Sequence, residues 1–278
     1  MKFWKMHGLG NDYIVIDNRN CSVKEEESST LAKKICQRRF SVGADGLILL
    51  LDSNMADVRM RIINADGSEA EMCGNGIRCL AKYCFENKIV RKKHFTVETL
   101  AGLKPIQVFL KNGSVHEVHV EIGKPLFNRS EIPMRGEGRC IDEPLIADGR
   151  EFRITCLSVG NPHCVIFIDD IKDFPVEDIG SRIERNKLFP KRVNVEFAQI
   201  VSKEEMWVRV WERGVGETLA CGTGACAAVV AGNILGRSGR EVTVNLLGGD
   251  LRIEYDEEIS MLGPTEKAFE GIILVKPL

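Results

Sequence analysis

The sequence predicts a mixed α/β protein of two pseudo-symmetric halves, each a β-sheet or barrel wrapped around one central helix. Two observations carry that expectation. The phrase Cys-Gly-x-Gly occurs twice, as Cys73-Gly74-Asn75-Gly76 and Cys221-Gly222-Thr223-Gly224, each time where a turn becomes an apolar helix. The same landmarks precede both phrases in the same order. Glu69 and Glu217 stand four residues before their cysteines, Asn64 and Glu212 nine, and Gly46 and Asn194 27. The asparagines of Gly10-Asn11 and Gly160-Asn161 lie 62 and 60 residues before them. Self-similarity over such a span marks a duplicated structural unit.

The elements follow in order. Tyr13 to Asp17, Leu47 to Leu51 and Val58 to Ile63 are rich in β-branched or aliphatic residues, are bounded by Gly, Asp and Asn, and read as strands. Ser28 to Arg38 reads as a helix with Ser or Thr available to cap it. After Cys73, the residues Ile77, Leu80, Ala81, Cys84 and Phe85 place one apolar face at helical period. The run Ala225 to Ala231 is apolar all round, the mark of a helix buried within its own sheet. Strand-like runs come next: Phe95 to Thr99, Pro105 to Leu110 and Val115 to Ile122 in the first half. Val242 to Leu246, Leu251 to Tyr255 and Ile272 to Val275 are their counterparts in the second, where Met206 to Trp211, before the cysteine, matches Val58 to Ile63. The turn residues Gly123-Lys124-Pro125 set the join, giving halves at 1–122 and 123–267, with 268–278 a candidate to complete the first.

At 278 residues and 44% hydrophobic, the chain can bury a sizeable core. Lys and Arg number 38 against 40 Asp and Glu, interspersed, so no basic stripe favours nucleic acid or an anionic membrane. The partner expected is a small molecule. The start, MKFWKMHGLG, lacks the apolar stretch of a signal peptide, and no apolar run approaches a membrane span, which points to a cytoplasmic protein. Ten cysteines in this setting read as reduced thiols, several of them small core residues. There is no Cys-x-x-Cys pair, so a zinc site is not expected. Neither Gly-rich turn matches a P-loop or a dinucleotide fingerprint, and no cofactor is implied.

A cysteine at a helix start has its thiolate stabilised by free backbone N–H groups and the helix dipole. Glycines beside it let a ligand approach the backbone closely. A pair of such turns, brought to one substrate, would hold a carboxylate flanked by two thiols. One thiolate would remove a proton from the adjacent carbon and the other thiol would return one to the opposite face. The plain alternative for each motif alone is a helix start with a buried thiol. A redox-sensing pair is a third reading. His7 fits a structural role at its Gly-Asn turn, whereas His163, two residues after Asn161, fits a structural or a catalytic role equally.

His7-Gly-Leu-Gly-Asn11-Asp12-Tyr13, Asn64-Ala-Asp-Gly-Ser68, Met72-Cys-Gly-Asn-Gly76-Ile-Arg-Cys79, Gly160-Asn-Pro-His163 and Glu212-Arg-Gly-Val-Gly-Glu217 with Cys221-Gly-Thr-Gly224 span almost the whole chain. In order and spacing they resemble the diaminopimelate epimerases. The resemblance implies that family's fold and a cofactor-free interconversion of LL- and meso-2,6-diaminoheptanedioate in lysine biosynthesis, by a homodimer. It makes Cys73 and Cys221 the acid/base pair. Gly74, Asn75, Gly222 and Thr223 become holders of the reacting carboxylate, and Asn11, Asn64, Asn161, Asn194, Glu212 and Arg213 become substrate-binding residues. A guanidinium at Arg213 suits a distal carboxylate, which it can grip bidentately. His163 and Glu217 are candidate supporting residues, while Asn64 and Asn194 also fit ordinary strand ends. Some members carry a Gln where this chain has Gly46. Proline racemases, hydroxyproline epimerases and phenazine-pathway isomerases resemble the same architecture and form the alternative substrate class.

Overall fold

The structure is a computed structural model that describes residues 1–274. Its elements are β1 (Lys2–Gly8), β2 (Asn11–Asp17), α1 (Ser28–Ile35), β3 (Gly46–Leu51), β4 (Val58–Asn64), β5 (Glu69–Ala70), α2 (Gly74–Glu86), β6 (His94–Thr99), β7 (Gly102–Lys111) and β8 (Ser114–Gly123). Then follow β9 (Cys140–Ala147), β10 (Arg150–Ser158), β11 (Pro162–Phe167), α3 (Val176–Glu184), β12 (Asn194–Ile200), β13 (Glu205–Glu212), β14 (Gly216–Thr218), α4 (Gly222–Ile234), β15 (Glu241–Leu246), β16 (Gly249–Tyr255), β17 (Ile259–Pro264) and β18 (Glu266–Ile272). The chain divides into two compact units, Met1–Glu121 with the segment from Leu262, and Ile122–Met261.

In the first unit β18 pairs antiparallel with β1 and β1 with β2. β2 runs parallel to β3, β3 antiparallel to β4, and β4 parallel to β6. β7 and β8 continue antiparallel. The second unit repeats the pattern: β9, β10 and β11 are antiparallel neighbours. β11 is parallel to β12, β12 antiparallel to β13, β13 parallel to β15, and β15 antiparallel to β16. The parallel steps need crossovers, supplied by α1 and α2 in one unit and α3 and α4 in the other.

Each sheet curls around its second helix. α4 packs against β10, β11, β12, β13, β15 and β16, and α2 against β1, β2, β3, β4 and β7. The other helix of each unit covers the outer face of the same strands. Leu47 and Leu49 of β3 pack with Leu31 and Ile35 of α1, and Val195 and Phe197 of β12 with Val176, Ile179 and Ile183 of α3. Strands covered on both faces read as continuous apolar runs, which is why Gly46–Leu51 shows no alternation.

The sequence places one buried face on α2, yet every residue from Gly74 to Cys84 is buried. Two long cations turn inward and are fully engaged. Arg78 donates to Gly74 O, Asn75 Oδ1 and Pro264 O, and Lys82 to Glu86, Ser114 Oγ and Val115 O. Paired this way, buried cations avoid the desolvation penalty of isolated charges. The helix expected from Ser28 to Arg38 stops at Ile35, and its last turn gives way to a left-handed Arg39. The strand expected at Ile272 to Val275 lies earlier, as β18; its residues are mostly exposed and Glu266, Lys267 and Glu270 break up the apolar ones, so apolar periodicity does not reveal it. Val275 itself is outside the described residues.

Candidate active site

Both cysteines are helix N-caps in extended backbone, Cys73 at φ −140° and Cys221 at φ −121°. Each Sγ takes the place of the usual capping oxygen and accepts a backbone N–H: Gly76 N at 3.5 Å for Cys73 and Gly224 N at 3.4 Å for Cys221. The glycine at that third position is closely packed. A Cβ on Gly76 would sit 3.3 Å from Ile48 Cδ1, and one on Gly224 2.9 Å from Glu196 Oε1.

In the first unit Cys73, Asn75, Asn11 and Tyr13 form one hydrogen-bonded cluster. The Tyr13 hydroxyl donates to Cys73 Sγ at 3.0 Å, and the thiol lies 3.6 Å from Asn11 Oδ1. Asn75 Nδ2 donates to the same Oδ1 at 3.2 Å, and Arg78 fixes Asn75 from behind at 2.9 Å. Asn11 is held in turn by Asp45, whose Oδ2 accepts its Nδ2 at 2.8 Å. Gly10, at φ 88°, makes the turn that presents Asn11, and Gly160, at φ 103°, does so for Asn161. Asn64 sits at the end of β4, opposite Gly46 on β3, and donates to Ser68 Oγ at 3.0 Å.

In the second unit Cys221, Thr223, Asn161 and His163 form the matching cluster. Asn161 Nδ2 donates to Thr223 Oγ1 at 3.3 Å, which lies 3.4 Å from Cys221 Sγ. Burial pushes the Cys221 thiol well up, the Glu212 and Glu196 carboxylates push it further, and the Thr223 and Gly224 hydrogen bonds oppose them. Asn194 and Arg213 meet through the Arg213 N–H, donated to Asn194 Oδ1 at 2.8 Å, while Asn194 Nδ2 holds Pro162 O. Glu212 accepts the Thr218 hydroxyl at 2.6 Å. The exposed Arg213 guanidinium reaches Lys191 O at 3.4 Å.

Two candidates have plain structural partners. Both oxygens of Glu217 receive Arg209, at 2.7 and 3.1 Å, as both oxygens of Glu69 receive Arg61, at 2.6 and 2.8 Å. These bidentate pairs tie β13 to β14 and β4 to β5, in the stretch leading to each cysteine. His7 Nδ1 accepts the Gly10 N–H at 3.5 Å and serves its turn. Apart from the exposed Cys21, the other cysteines are buried in the core; burial pushes Cys79 up to about 12. Among the described residues no three His, Cys, Asp or Glu side chains gather as metal ligands would, and no helix is long and apolar enough to cross a membrane.

Tyr13, Asp45, Arg78 and Glu196 escape the sequence reading although they shape the clusters. The repeat contains the signal for two of them. Tyr13 follows Asn11 by two residues as His163 follows Asn161, and Glu196 follows Asn194 as Ile48 follows Gly46.

The fold recurs in solved structures. A phenazine biosynthesis protein of the PhzF family from Bacillus anthracis matches with a TM-score of 0.70 at 19% identity, covering 99% of both chains. A hydroxyproline epimerase from Agrobacterium vitis, with bound trans-4-hydroxy-L-proline, matches with a TM-score of 0.70 at 13% identity, covering 98% of this chain and 91% of the other. Fold and capped cysteines together define a two-halved protein of the epimerase and PhzF architecture. The family model described as diaminopimelate epimerase matches residues 3–127 and 155–268. The diaminopimelate epimerase of Pelotomaculum thermopropionicum is 54% identical over 98% of each chain, and that of Moorella thermoacetica 50% over the same shares. The chain belongs to the diaminopimelate epimerase family.

Proposed function

We propose that this chain epimerises LL-2,6-diaminoheptanedioate to the meso isomer, and the reverse, by thiol/thiolate proton transfer in lysine biosynthesis. The observation that carries the reading is the duplication of a cysteine N-cap with its own hydrogen-bond donors, within a family whose named members are diaminopimelate epimerases. In this reading Cys73 and Cys221 are the two bases, one supplied by each half. A thiolate takes the α-proton from one face, leaving a carbanion whose charge passes into the α-carboxylate, and the other thiol protonates the opposite face. The reverse reaction exchanges the roles.

The helix-starting backbone N–H groups at Gly74-Asn75 and Gly222-Thr223 suit the reacting carboxylate, since helix N-termini favour anions. Asn11, Asn64, Asn161, Asn194 and Glu212 bind the substrate, and Arg213 takes the distal carboxylate through its exposed guanidinium. No cofactor takes part, and the protein works as a cytoplasmic homodimer. Gly46, where some members carry Gln, offers the substrate no side chain.

The test is solvent exchange. Reduced enzyme in deuterium oxide with LL-diaminoheptanedioate is expected to give meso product carrying deuterium at the inverted α-carbon. Purified, reduced protein that incorporates none has a different reaction.

A further inference from the structure

A line of hydrogen bonds runs from the interior of the second unit to Cys221. Glu196 and His163 are both completely buried. His163 Nδ1 lies 2.7 Å from Glu196 Oε1, and Nε2 lies 2.8 Å from Asn161 Oδ1. Asn161 continues to Thr223, and Thr223 to Cys221 Sγ.

Donor accounting fixes the direction of this line. An amide oxygen only accepts, so His163 Nε2 carries a hydrogen. The contact at Nδ1 is then favourable in two ways: an imidazolium facing a carboxylate, or a neutral ring accepting from a carboxylic acid. Either way the pair is neutral overall and holds one proton more than a carboxylate beside a neutral ring. Glu196 Oε2 is buried with no hydrogen-bond partner, a place where an uncompensated anion is costly. Next, Asn161 gives an N–H to Thr223 Oγ1, and the threonine hydroxyl hydrogen is free to face Cys221 Sγ, 3.4 Å away. A thiolate has no hydrogen to give, so with Cys221 ionised every bond points toward the sulfur.

The fold does not require a carboxylate at this position. Tyr13 pairs with Gly46 across the parallel β2 and β3, and His163 with Asn194 across β11 and β12. Two residues on, Ile48 touches the Gly76 site as Glu196 touches the Gly224 site. The first unit thus builds the same corner with isoleucine, and its Tyr13 hydroxyl reaches Cys73 directly.

We propose that Glu196 is a positioning residue: it clamps His163 with Nε2–H outward and so orients a one-way line of donors onto Cys221 Sγ. The proposal rests on the reading of Cys221 as an acid/base group. Its direct test is a long-range proton–nitrogen correlation spectrum of full-length protein labelled with ¹⁵N-histidine, with His163 assigned by its loss in His163→Asn. A protonated Nε2 near neutral pH is expected, and a bare Nε2 overturns the proposal. Glu196→Leu, which copies Ile48, is expected to lose the fixed Nε2–H and to lower kcat by about 10-fold or more. Glu196→Gln can donate its amide to Nδ1, and is expected to keep Nε2–H and recover most of that loss. Wild-type kcat in Glu196→Leu overturns the proposal. If Glu196→Leu does not fold, a Glu196→Gln protein with a bare Nε2 and wild-type kcat overturns it equally. Wild-type enzyme inert toward diaminoheptanedioate would instead sink the proposed reaction, while the spectrum still reports the clamp.

Discussion

Tyr13 donates its hydroxyl to Cys73 Sγ at 3.0 Å from the strand position that His163 occupies in the second unit. The two thiols therefore have different neighbours within a repeated frame. Cys73 meets a phenol directly, whereas Cys221 meets the end of a longer line through Thr223. Tyr13→Phe removes only the oxygen from a ring that stays buried. The expected result is a fall in kcat of about 10-fold with a stability change of about 1 kcal/mol, read by steady-state kinetics and thermal melting.

Gly46 makes room for that ring. A Cβ there would sit 3.0 Å from Ile63 O and 3.1 Å from Tyr13 Cε1. The carbonyl belongs to the β3–β4 ladder and cannot move without breaking it. Gly46→Ala is expected to destabilise the protein by about 1–3 kcal/mol and to lower activity by shifting Tyr13 from Cys73, a denaturant titration and a rate measurement checking each effect.

The paired Arg–Glu ties predict matched behaviour at Glu69 and Glu217. Replacing either by Gln leaves one half of a bidentate contact, and each change is expected to cost about 1 kcal/mol in a chemical melt. The Arg61 hydrogen bonds hold Glu69 below the usual carboxylate range against some desolvation. Its contribution to stability is accordingly present above the unfolded-state pKa and lost as pH falls through the folded one. The stability gap between wild type and Glu69→Gln should therefore shrink in acid.

Asp12 gives the strongest acid dependence. Burial raises its pKa, yet the Arg38 and Lys5 contacts, at 2.7 and 2.6 Å, outweigh this and bring it from 3.8 to about 2. A depressed folded pKa means stability that is complete above the unfolded value and disappears as pH falls toward the folded one. The linkage amounts to about 2 kcal/mol, lost between roughly pH 4 and 2. Asp12→Asn is expected to be less stable at neutral pH and to show a flatter acid limb; an acid limb as steep as wild type would contradict this.

Much of this was legible in the sequence because the turns are chemically explicit. Gly10-Asn11, Gly160-Asn161 and the two Cys-Gly-x-Gly phrases mark positions where only certain residues fit, and the runs between them alternate or stay apolar as sheets demand. Between Pro125 and Met206 the sequence reading places no helix or strand, although α3 announces itself by Pro175 followed by Glu177 and Asp178 in its first turn. α2 misleads because Arg78 and Lys82 look like a solvated face. Only their partners across the fold, Pro264 O and Val115 O, show why they are inside. Tyr13 and Glu196 were hidden for a related reason: each differs chemically from its counterpart in the other half, so the repeat locates the position without revealing what stands there.

The central claim is that each half supplies one indispensable proton carrier. Cys73→Ala and Cys221→Ala, each folded and reduced, should be assayed for conversion of LL- to meso-diaminoheptanedioate. Both are expected to lose at least about 100-fold in kcat, the range for removing a general acid or base. Wild-type epimerisation by either variant would show that a single thiol suffices.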